Sequence, residues 1–224
     1  MASAYATPQV VSSYLQSECA LGRILGPVEE PPTKLTISKF GVIPKKYQVG
    51  KWRLILDLSI PEGFSVNDGI DSDLSSIRYP SFDLAAKLIM AERKGALLSK
   101  IDIRDAYRII PVHPGDWWLL GMKWNGQFFI DTRLPFGLRS APKIFSAVAD
   151  ALQWVMIQQQ VPTCIHYLDD FLFVEGAGVQ SVALKRACSV LDSLGVPTAP
   201  HKVEGPATTL QFLGIELDTV ALTA

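Results

Sequence analysis

The chain has 224 residues, of which 48% are hydrophobic, and a formal net charge of −1. This length fits one domain or two closely packed subdomains with a substantial core. Three widely spaced cysteines do not indicate a disulfide framework and fit the reduced thiols of an intracellular protein. The first residues lack the pattern of a signal peptide, and no stretch of about 18 uncharged apolar residues predicts a membrane span.

The first third of the chain is predicted to form a loosely ordered start and then a hairpin. Residues 1–33 contain one short predicted helix at 11–21, and predicted strands follow at 35–44 and 52–58. Residues 34–53 carry six basic residues and no acidic one. This block favours phosphate binding and a solvated hairpin equally.

The rest of the chain mixes helical and strand patterns. Asn125-Gly126, between two apolar runs, is a strong hairpin signal. The other predicted elements are a loop at 61–80, helices at 81–93, 141–159 and 179–194, and strands at 97–103, 119–124, 127–132 and 210–217. This mixture predicts an α+β fold, with an antiparallel sheet and helices packed on one face.

Three aspartates are the strongest functional signal. Asp169 and Asp170 lie between apolar runs at 165–168 and 171–174, and Asp102 lies near the end of another apolar strand. An Asp-Asp pair can be plain turn chemistry, and the cluster can be a charged sheet rim. Carboxylates gathered at strand ends repel one another, and hard divalent cations relieve that repulsion. Two such ions, about 3.5–4 Å apart, would support phosphoryl or nucleotidyl transfer.

Four segments resemble, in order and spacing, the motifs of reverse transcriptases: LSKIDIRDAYRIIPVHP, LPFGLRSAPKIF, HYLDDFLFV and LQFLGIELD. The upstream PKKYQVGKWRLILDLS resembles the fingers segment of that family, and the match covers roughly residues 20–218. The details LDLS, LPFGLRSAP and HYLDDFL are most similar to tyrosine-recombinase (DIRS-type) retroelements.

The resemblance implies the palm and fingers of a right-hand polymerase, with the thumb absent. Its expected parts are an N-terminal extension at 1–33, fingers at 34–95, a palm at 96–218 that includes a partly fingers segment at 119–140, and a tail at 219–224. The resemblance also implies that thumb and ribonuclease H domains come from a longer polyprotein. Expected partners are deoxynucleoside triphosphates and a primed RNA or DNA template, with no membrane; the oligomeric state is left open.

The resemblance assigns the catalytic centre to the aspartates. Asp102 and Asp169 are expected to bind two Mg²⁺ ions, with Asp170 in support and the backbone carbonyl of Ile103 as a further ligand; Mn²⁺ also suits an all-oxygen site. Lys202 resembles the lysine proposed to protonate the leaving pyrophosphate. A surface lysine after a helix is the equally weighted alternative.

The resemblance also assigns residues that bind the incoming nucleotide. Tyr107 resembles the aromatic gate that excludes a ribose 2′-hydroxyl, although a tyrosine packed at a strand end is the alternative. Arg53 and Lys46 match the triphosphate-binding residues of the fingers. Phe136 stands where retroviral enzymes carry Gln, and Gly137 is expected to permit close backbone approach. Without the other motifs, this Pro-Phe-Gly segment would be an ordinary turn before a helix.

The last motif is predicted to contact the primer, and one residue of the fingers segment departs from the family pattern. Phe212, Leu213 and Gly214 match the primer-grip hairpin, or else form an apolar strand with a bulge. Asp57 lies where the fingers usually end on a basic residue, which weakens an expectation of template contact there. Two hypotheses follow: an RNA-directed DNA polymerase domain of a retrotransposon, and a truncated or co-opted remnant that binds nucleic acid without processive synthesis.

Overall fold

A computed structural model describes residues 2–31, 34–44, 50, 52–77 and 82–223. The chain divides into two compact units. The first unit comprises Met1–Ser76 and Tyr107–Lys143, and the second unit comprises Ile77–Ala106 and Ile144–Ala224. Neither unit is one continuous segment, because the chain passes between them three times.

The described elements confirm the predicted α+β class. The helices are Ala2–Ala6 (α1), Pro8–Ala20 (α2), Phe82–Ala91 (α3), Ala141–Gln158 (α4) and Ala183–Ser193 (α5). The strands are Ile24–Val28 (β1), Lys39–Pro44 (β2), Trp52–Asp57 (β3), Leu97–Asp102 (β4), Gly121–Trp124 (β5), Gln127–Asp131 (β6), Cys164–Tyr167 (β7), Asp170–Glu175 (β8), Glu204–Ala207 (β9), Thr209–Phe212 (β10) and Ile215–Asp218 (β11). The pairings between these strands are antiparallel.

The first unit contains a three-stranded sheet in the order β1-β6-β5 and the β2–β3 hairpin. Asn125 and Gly126 join β5 to β6 with φ angles of 49° and 81°, which confirms the predicted hairpin turn. From Arg53 onward β3 alternates, since Leu54 and Leu56 are buried and Arg53 is exposed. The core of this unit joins apolar residues of α2, β2, β3 and β5.

The expectation of a loosely ordered N-terminal segment was wrong for its described residues. α1, α2 and β1 form there, and α2 buries Val11 and Leu15 in the core of the first unit. The buried face of α2 also includes Glu18. The helix predicted at 11–21 is confirmed as α2, although it begins three residues earlier. The burial of Glu18 was not predicted, because a buried charge needs a partner and that partner lies far away in the sequence.

The second unit is built on a four-stranded sheet in the order β7-β8-β4-β9. Its strands β4 and β8 are almost wholly buried, because apolar residues occupy both faces of each strand. Residues of α3, β10 and β11 pack with this sheet in one apolar cluster. The central strands are therefore rigid supports for whatever lies at their ends.

The start of α5 shows how a buried acid defines a helix boundary. The prediction began this helix at residue 179, whereas α5 begins at Ala183. Glu175, at the end of β8, accepts hydrogen bonds from the backbone N–H groups of Val182 (2.8 Å) and Ala183 (3.1 Å) and from the Ser181 hydroxyl. The carboxylate satisfies the first N–H groups of the helix and ties it to the sheet.

The end of the chain is a hairpin where the sequence predicted one strand at 210–217. Leu213 and Gly214 form its turn, with φ angles of 52° and 81°, and Phe212 pairs with Ile215. A two-residue turn with positive φ at both positions matches the twist of paired strands. In the portions of the chain that the structure describes, no helix is long and apolar enough to span a bilayer.

Candidate active site

The three predicted aspartates meet at one end of the four-stranded sheet. Asp102 is the last residue of β4, and Asp170 is the first residue of β8. Register places these two residues directly opposite each other, where side chains on one face lie about 5 Å apart. Asp169 lies in the turn between β7 and β8. We call Asp102, Asp169 and Asp170 the aspartate cluster.

Backbone hydrogen bonds fix the position of the aspartate cluster. The N–H of Ile103 donates to the carbonyl oxygen of Asp169 (2.9 Å), so the turn is tied to the strand that carries Asp102. Leu168 reaches the tight turn with a φ of 52°. The N–H of Ala199 donates to the carbonyl oxygen of Asp102 (2.9 Å). The carboxylates are therefore held by a rigid frame rather than by a free loop.

The aspartate cluster carries more negative charge than its surroundings neutralise. Burial, together with the neighbouring carboxylates of Asp169 and Asp102, raises the pKa of Asp170 to about 6. The Lys202 ammonium donates to Asp102 Oδ2. Burial opposes the charge of Lys202, but the contact with Asp102 raises the pKa of this lysine above its ordinary value. One half-exposed ammonium thus faces three carboxylates.

The donor set of the aspartate cluster fits a hard cation, although its present arrangement is not a finished metal site. Among the described residues, no three histidine, cysteine, aspartate or glutamate side chains are disposed to hold a metal ion. Lys202 contacts one Asp102 oxygen, and the mutual repulsion of the carboxylates favours a proton on Asp170. A divalent cation would compete with that ammonium and that proton for the same oxygens.

Three residues predicted to bind nucleotide lie together in the first unit. The rings of Tyr107 and Phe136 contact each other, with centroids 5.1 Å apart and planes tilted by 46°. The Arg53 guanidinium carbon lies 5.3 Å from the centroid of the Phe136 ring. Lys46 falls outside the described residues. Arg53, Tyr107 and Phe136 thus form one mixed aromatic and cationic platform, which we call the aromatic platform.

Gly137 lies beside the aromatic platform and is required by its backbone. Its φ is +110°, and a Cβ added there would lie 1.9 Å from the carbonyl oxygen of Leu56. The N–H of Leu56 donates to the carbonyl oxygen of Phe136 (3.1 Å), which holds the loop against β3. A side chain at Gly137 would separate the loop from that strand.

A second residue that holds this loop was missed by sequence reasoning. Asn67 is buried, and its side-chain amide donates to the Gly137 carbonyl (2.8 Å) and to Ser59 Oγ (2.9 Å). Its side-chain oxygen accepts from the Arg139 N–H (2.8 Å). The polar segment at 61–80 predicted only a loop. No local pattern distinguishes an asparagine that bridges two loops from an asparagine in a turn.

The predicted primer-grip residues form the turn between β10 and β11 in the second unit. Phe212 is buried, Leu213 is 38% exposed, and Gly214 has a positive φ. The Lys100 ammonium donates to the carbonyl oxygen of Gln211 (2.9 Å), which links β4 to this hairpin. The turn therefore exposes the apolar side chain of Leu213, while Phe212 anchors the hairpin in the core.

A buried ionic network in the first unit was also missed. Arg108 Nε and Nη2 donate to Glu18 Oε2 (2.9 and 2.8 Å), and Arg108 Nη1 donates to both carboxylate oxygens of Asp131 (2.9 and 2.7 Å). Burial opposes the charge, but Asp131 and Glu18 raise the pKa of Arg108 above its ordinary value. We call these three residues the Arg108 network. Charged residues inside the apolar runs around Arg108 and Asp131 were its only sequence signal.

The family model that describes the reverse transcriptase (RNA-dependent DNA polymerase) matches residues 43–217. The chain belongs to the reverse transcriptase family. It is similar to the Pro-Pol polyprotein of Simian foamy virus type 1, with 25% identity over 178 residues that cover 79% of this chain and 14% of that protein. The chain thus spans a small part of the curated relative that it matches.

Solved reverse transcriptase structures share the fold. A foamy viral protease-reverse transcriptase in complex with dsDNA has a TM-score of 0.71 and 20% identity, covering 94% of this chain and 40% of that chain. The same viral protein in complex with an RNA/DNA hybrid has a TM-score of 0.68 and 19% identity, covering 96% and 26%. The predicted fold of reverse transcriptase fingers and palm is therefore confirmed.

Proposed function

We propose that this chain is the RNA-directed DNA polymerase domain of a retrotransposon, which transfers a nucleotidyl group from a deoxynucleoside triphosphate to a primer 3′-hydroxyl. The observation that carries the proposal is the aspartate cluster, in which Asp170 lies opposite Asp102 and Asp169 occupies the adjoining turn. Membership of the reverse transcriptase family supports this chemistry. The segments LDLS, LPFGLRSAP and HYLDDFL support an assignment to the DIRS-type elements.

The proposed cofactor is a pair of Mg²⁺ ions, which Mn²⁺ can replace, held by Asp102, Asp169, Asp170 and the carbonyl of Ile103. When bound, such ions lower the pKa of the primer hydroxyl and offset the charge of the triphosphate. The chain itself supplies the rigid frame. β4, β8 and the hydrogen bond from Ile103 to Asp169 hold the carboxylates at fixed positions.

Residues around the incoming nucleotide have complementary proposed roles. Tyr107 of the aromatic platform would lie under the sugar, where its ring would exclude a 2′-hydroxyl. Arg53 would contact the triphosphate with its planar guanidinium, with Lys46 as a second cation. Gly137 and Phe136 would let the backbone and an apolar ring approach the base pair. Attack of the primer 3′-oxygen on the α-phosphorus releases pyrophosphate.

Two further roles concern the product and the primer. Lys202 is the proposed donor of a proton to the leaving pyrophosphate, because its ammonium lies beside the aspartate cluster, where it donates to Asp102. Phe212, Leu213 and Gly214 are the proposed primer grip. Leu213 supports this role, because it presents an apolar side chain at the tip of the hairpin.

The proposed partners are a primed RNA or DNA template and deoxynucleoside triphosphates, inside the cell in cytoplasm or nucleus. The foamy viral relatives were solved with dsDNA and with an RNA/DNA hybrid, which supports binding of both kinds of duplex. The match to 14% of a Pro-Pol polyprotein supports further domains, such as a thumb and ribonuclease H, supplied by a longer protein. The proposed subdomains remain an extension at 1–33, fingers at 34–95, a palm at 96–218 with 119–140 partly fingers, and a tail at 219–224.

The test is single-nucleotide extension of a DNA primer on an RNA template at low salt, with Mg²⁺ or Mn²⁺. We expect the parent to extend the primer and Asp169→Asn to lose about 10³-fold in rate. Asp192→Asn, an exposed carboxylate in α5, is the matched control and should extend like the parent. Duplex binding without extension by the folded parent would reject the polymerase and favour the remnant that only binds nucleic acid.

A further inference from the structure

The Arg108 network lies next to the aromatic platform. Arg108 follows Tyr107 in the same short 3₁₀ turn, Ala106–Ile109. The Arg108 side chain is 4% exposed. Its guanidinium donates hydrogen bonds to Glu18 on one side and to Asp131 on the other. A guanidinium held by two carboxylates in this way cannot rotate without breaking buried charge-assisted hydrogen bonds.

The network also reaches the second ring of the platform. Asp131 ends β6, and the chain then runs through Arg133 and Pro135 to Phe136. Arg108 Nη1 approaches the carbonyl oxygen of Arg133 (3.5 Å), and Asp131 Oδ1 accepts from the Arg133 N–H (3.0 Å). Arg108, Asp131, Pro135 and Phe136 line one narrow gap. The segments that carry Tyr107 and Phe136 are therefore both anchored on one guanidinium.

Helix α2 supplies the third anchor. Glu18 belongs to α2, which precedes residues 43–217, the part that matches the reverse transcriptase family model. Val11 and Leu15 fix α2 in the core, so the Glu18 carboxylate is presented from a rigid element. Arg23 adds a longer contact to Glu18, at 3.5 Å. The ion pair between Glu18 and Arg108 thus links α2 to the turn that carries Tyr107.

We infer that Arg108 is a positioning residue that sets the placement of the Tyr107 ring, and that α2 takes part in nucleotide selection through Glu18. This inference rests on the proposed function, because it assigns Tyr107 to sugar discrimination. Rejection of a 2′-hydroxyl depends on where the ring stands, and small displacements of a positioned group have large kinetic effects. A purely structural network would stabilise the fold and leave sugar selection unchanged.

The experiment compares incorporation of a deoxynucleotide and the matching ribonucleotide as a ratio of kcat/KM values. The neutral-network variant combines Glu18→Gln, Arg108→Met and Asp131→Asn, which removes all three charges together and avoids an unpaired buried charge. Arg108→Lys keeps the positive charge without the planar fork. Val11→Ala is the matched control, since it shortens a buried side chain of α2 two turns away from Glu18. Leu15, one turn from Glu18, stays in place and keeps that end of the helix in the core.

We expect the neutral-network variant to lose about tenfold in sugar discrimination, mainly through a lower KM for the ribonucleotide. Arg108→Lys should lose less, and Val11→Ala should keep the parent ratio. Adding the neutral-network changes to Tyr107→Ala should cause no further loss, because the network acts through that ring. Additive losses, or an equal loss in Val11→Ala, would overturn the inference.

A second measurement does not depend on polymerase activity. In protein carrying ¹³C-labelled tyrosine, the Tyr107 ring signal is assigned from its disappearance in Tyr107→Phe. We expect that signal to shift in the neutral-network variant and to stay in place in Val11→Ala. An unchanged Tyr107 signal in the neutral-network variant would refute the positioning role. Absence of nucleotide addition by the parent would refute only the proposed function.

Discussion

The Arg108 network and the aspartate cluster both bring carboxylates close together away from water, but they differ in how positive groups balance the negative charge. In the first unit, two carboxylates share one guanidinium that donates four of its hydrogen bonds to them. In the second unit, three carboxylates share the ammonium of Lys202, whose side chain is 44% exposed. We call the first arrangement closed, because the Arg108 guanidinium donates to both carboxylates and Arg23 adds a second cation beside Glu18. We call the second arrangement open, because its three carboxylates outnumber the two nearby ammonium groups, Lys202 and Lys100.

This difference separates a group of charges that holds the fold together from the proposed cation site. A buried charge that is fully paired holds its neighbours in place and has no capacity for a further ligand. Carboxylates that repel one another at the end of a rigid sheet can bind cations, because binding removes the repulsion. The pKa of Asp170, raised to about 6, is the signature of that unrelieved repulsion together with burial.

The largest expected effect comes from breaking the closed arrangement at its centre. Arg108→Met removes the guanidinium that Glu18 and Asp131 share and leaves each buried carboxylate with one remaining contact, from Arg23 and from the Arg133 N–H. We therefore expect a loss of about 3–5 kcal/mol in the free energy of unfolding. Urea unfolding measures this loss. The neutral-network variant is the control and should recover most of the stability. Equal stability of Arg108→Met and the parent would show that the network is not buried in solution.

The next effect is specific to the open arrangement. Mg²⁺ or Mn²⁺ at about 100 times its dissociation constant should raise the free energy of unfolding by about 2.7 kcal/mol, through binding to the folded state alone. A chelator should remove the gain, and Asp169→Asn should reduce it. The neutral-network variant should retain it. Thermal unfolding of the three proteins with metal and with chelator checks this expectation, and an unchanged gain in Asp169→Asn would place the metal elsewhere.

A smaller effect distinguishes the two groups by pH. The pKa of Asp170 rises from 3.8 to about 6 on folding, so the folded state binds more protons between these values and stability falls as pH rises through that window. Asp170→Asn removes the repulsion and should gain about 1–2 kcal/mol at pH 7 in the presence of a chelator. Below about pH 4 the gain should vanish. A gain that persists at low pH would reject charge repulsion as its cause.

The smallest effect on stability is expected at Lys202. Because this ammonium is half-exposed, Lys202→Met should change the free energy of unfolding by less than about 1 kcal/mol. The same change frees Asp102 Oδ2, so Mn²⁺ should bind severalfold more tightly, as measured by calorimetric titration. Lys87→Met, in α3, removes one positive charge as a control. Weaker Mn²⁺ binding in Lys202→Met alone would show that the lysine supports the cation rather than competing with it.

Predictions from the sequence succeeded where the signal was local. Asp102 and the Asp169-Asp170 pair stand out because charges interrupt apolar strands, and Asn125-Gly126 stands out because few residues adopt positive φ. Predictions failed where a residue's role depends on a distant partner. Glu18 and Arg108 lie 90 positions apart, and Asn67 reaches Gly137 across 70 positions.

The sequence by itself determined the family and the α+β class, because these depend on motif order and on periodicity along the chain. It also led to the expectation that three aspartates bind cations. Only the tertiary structure decided that Asp102 faces Asp170, that Tyr107 contacts Phe136, and that Glu18 of α2 accepts hydrogen bonds from Arg108. Strand register and the pairing of buried charges are set by packing between segments far apart in sequence. The pattern of residues along one chain therefore does not predict strand register or the partners of buried charges.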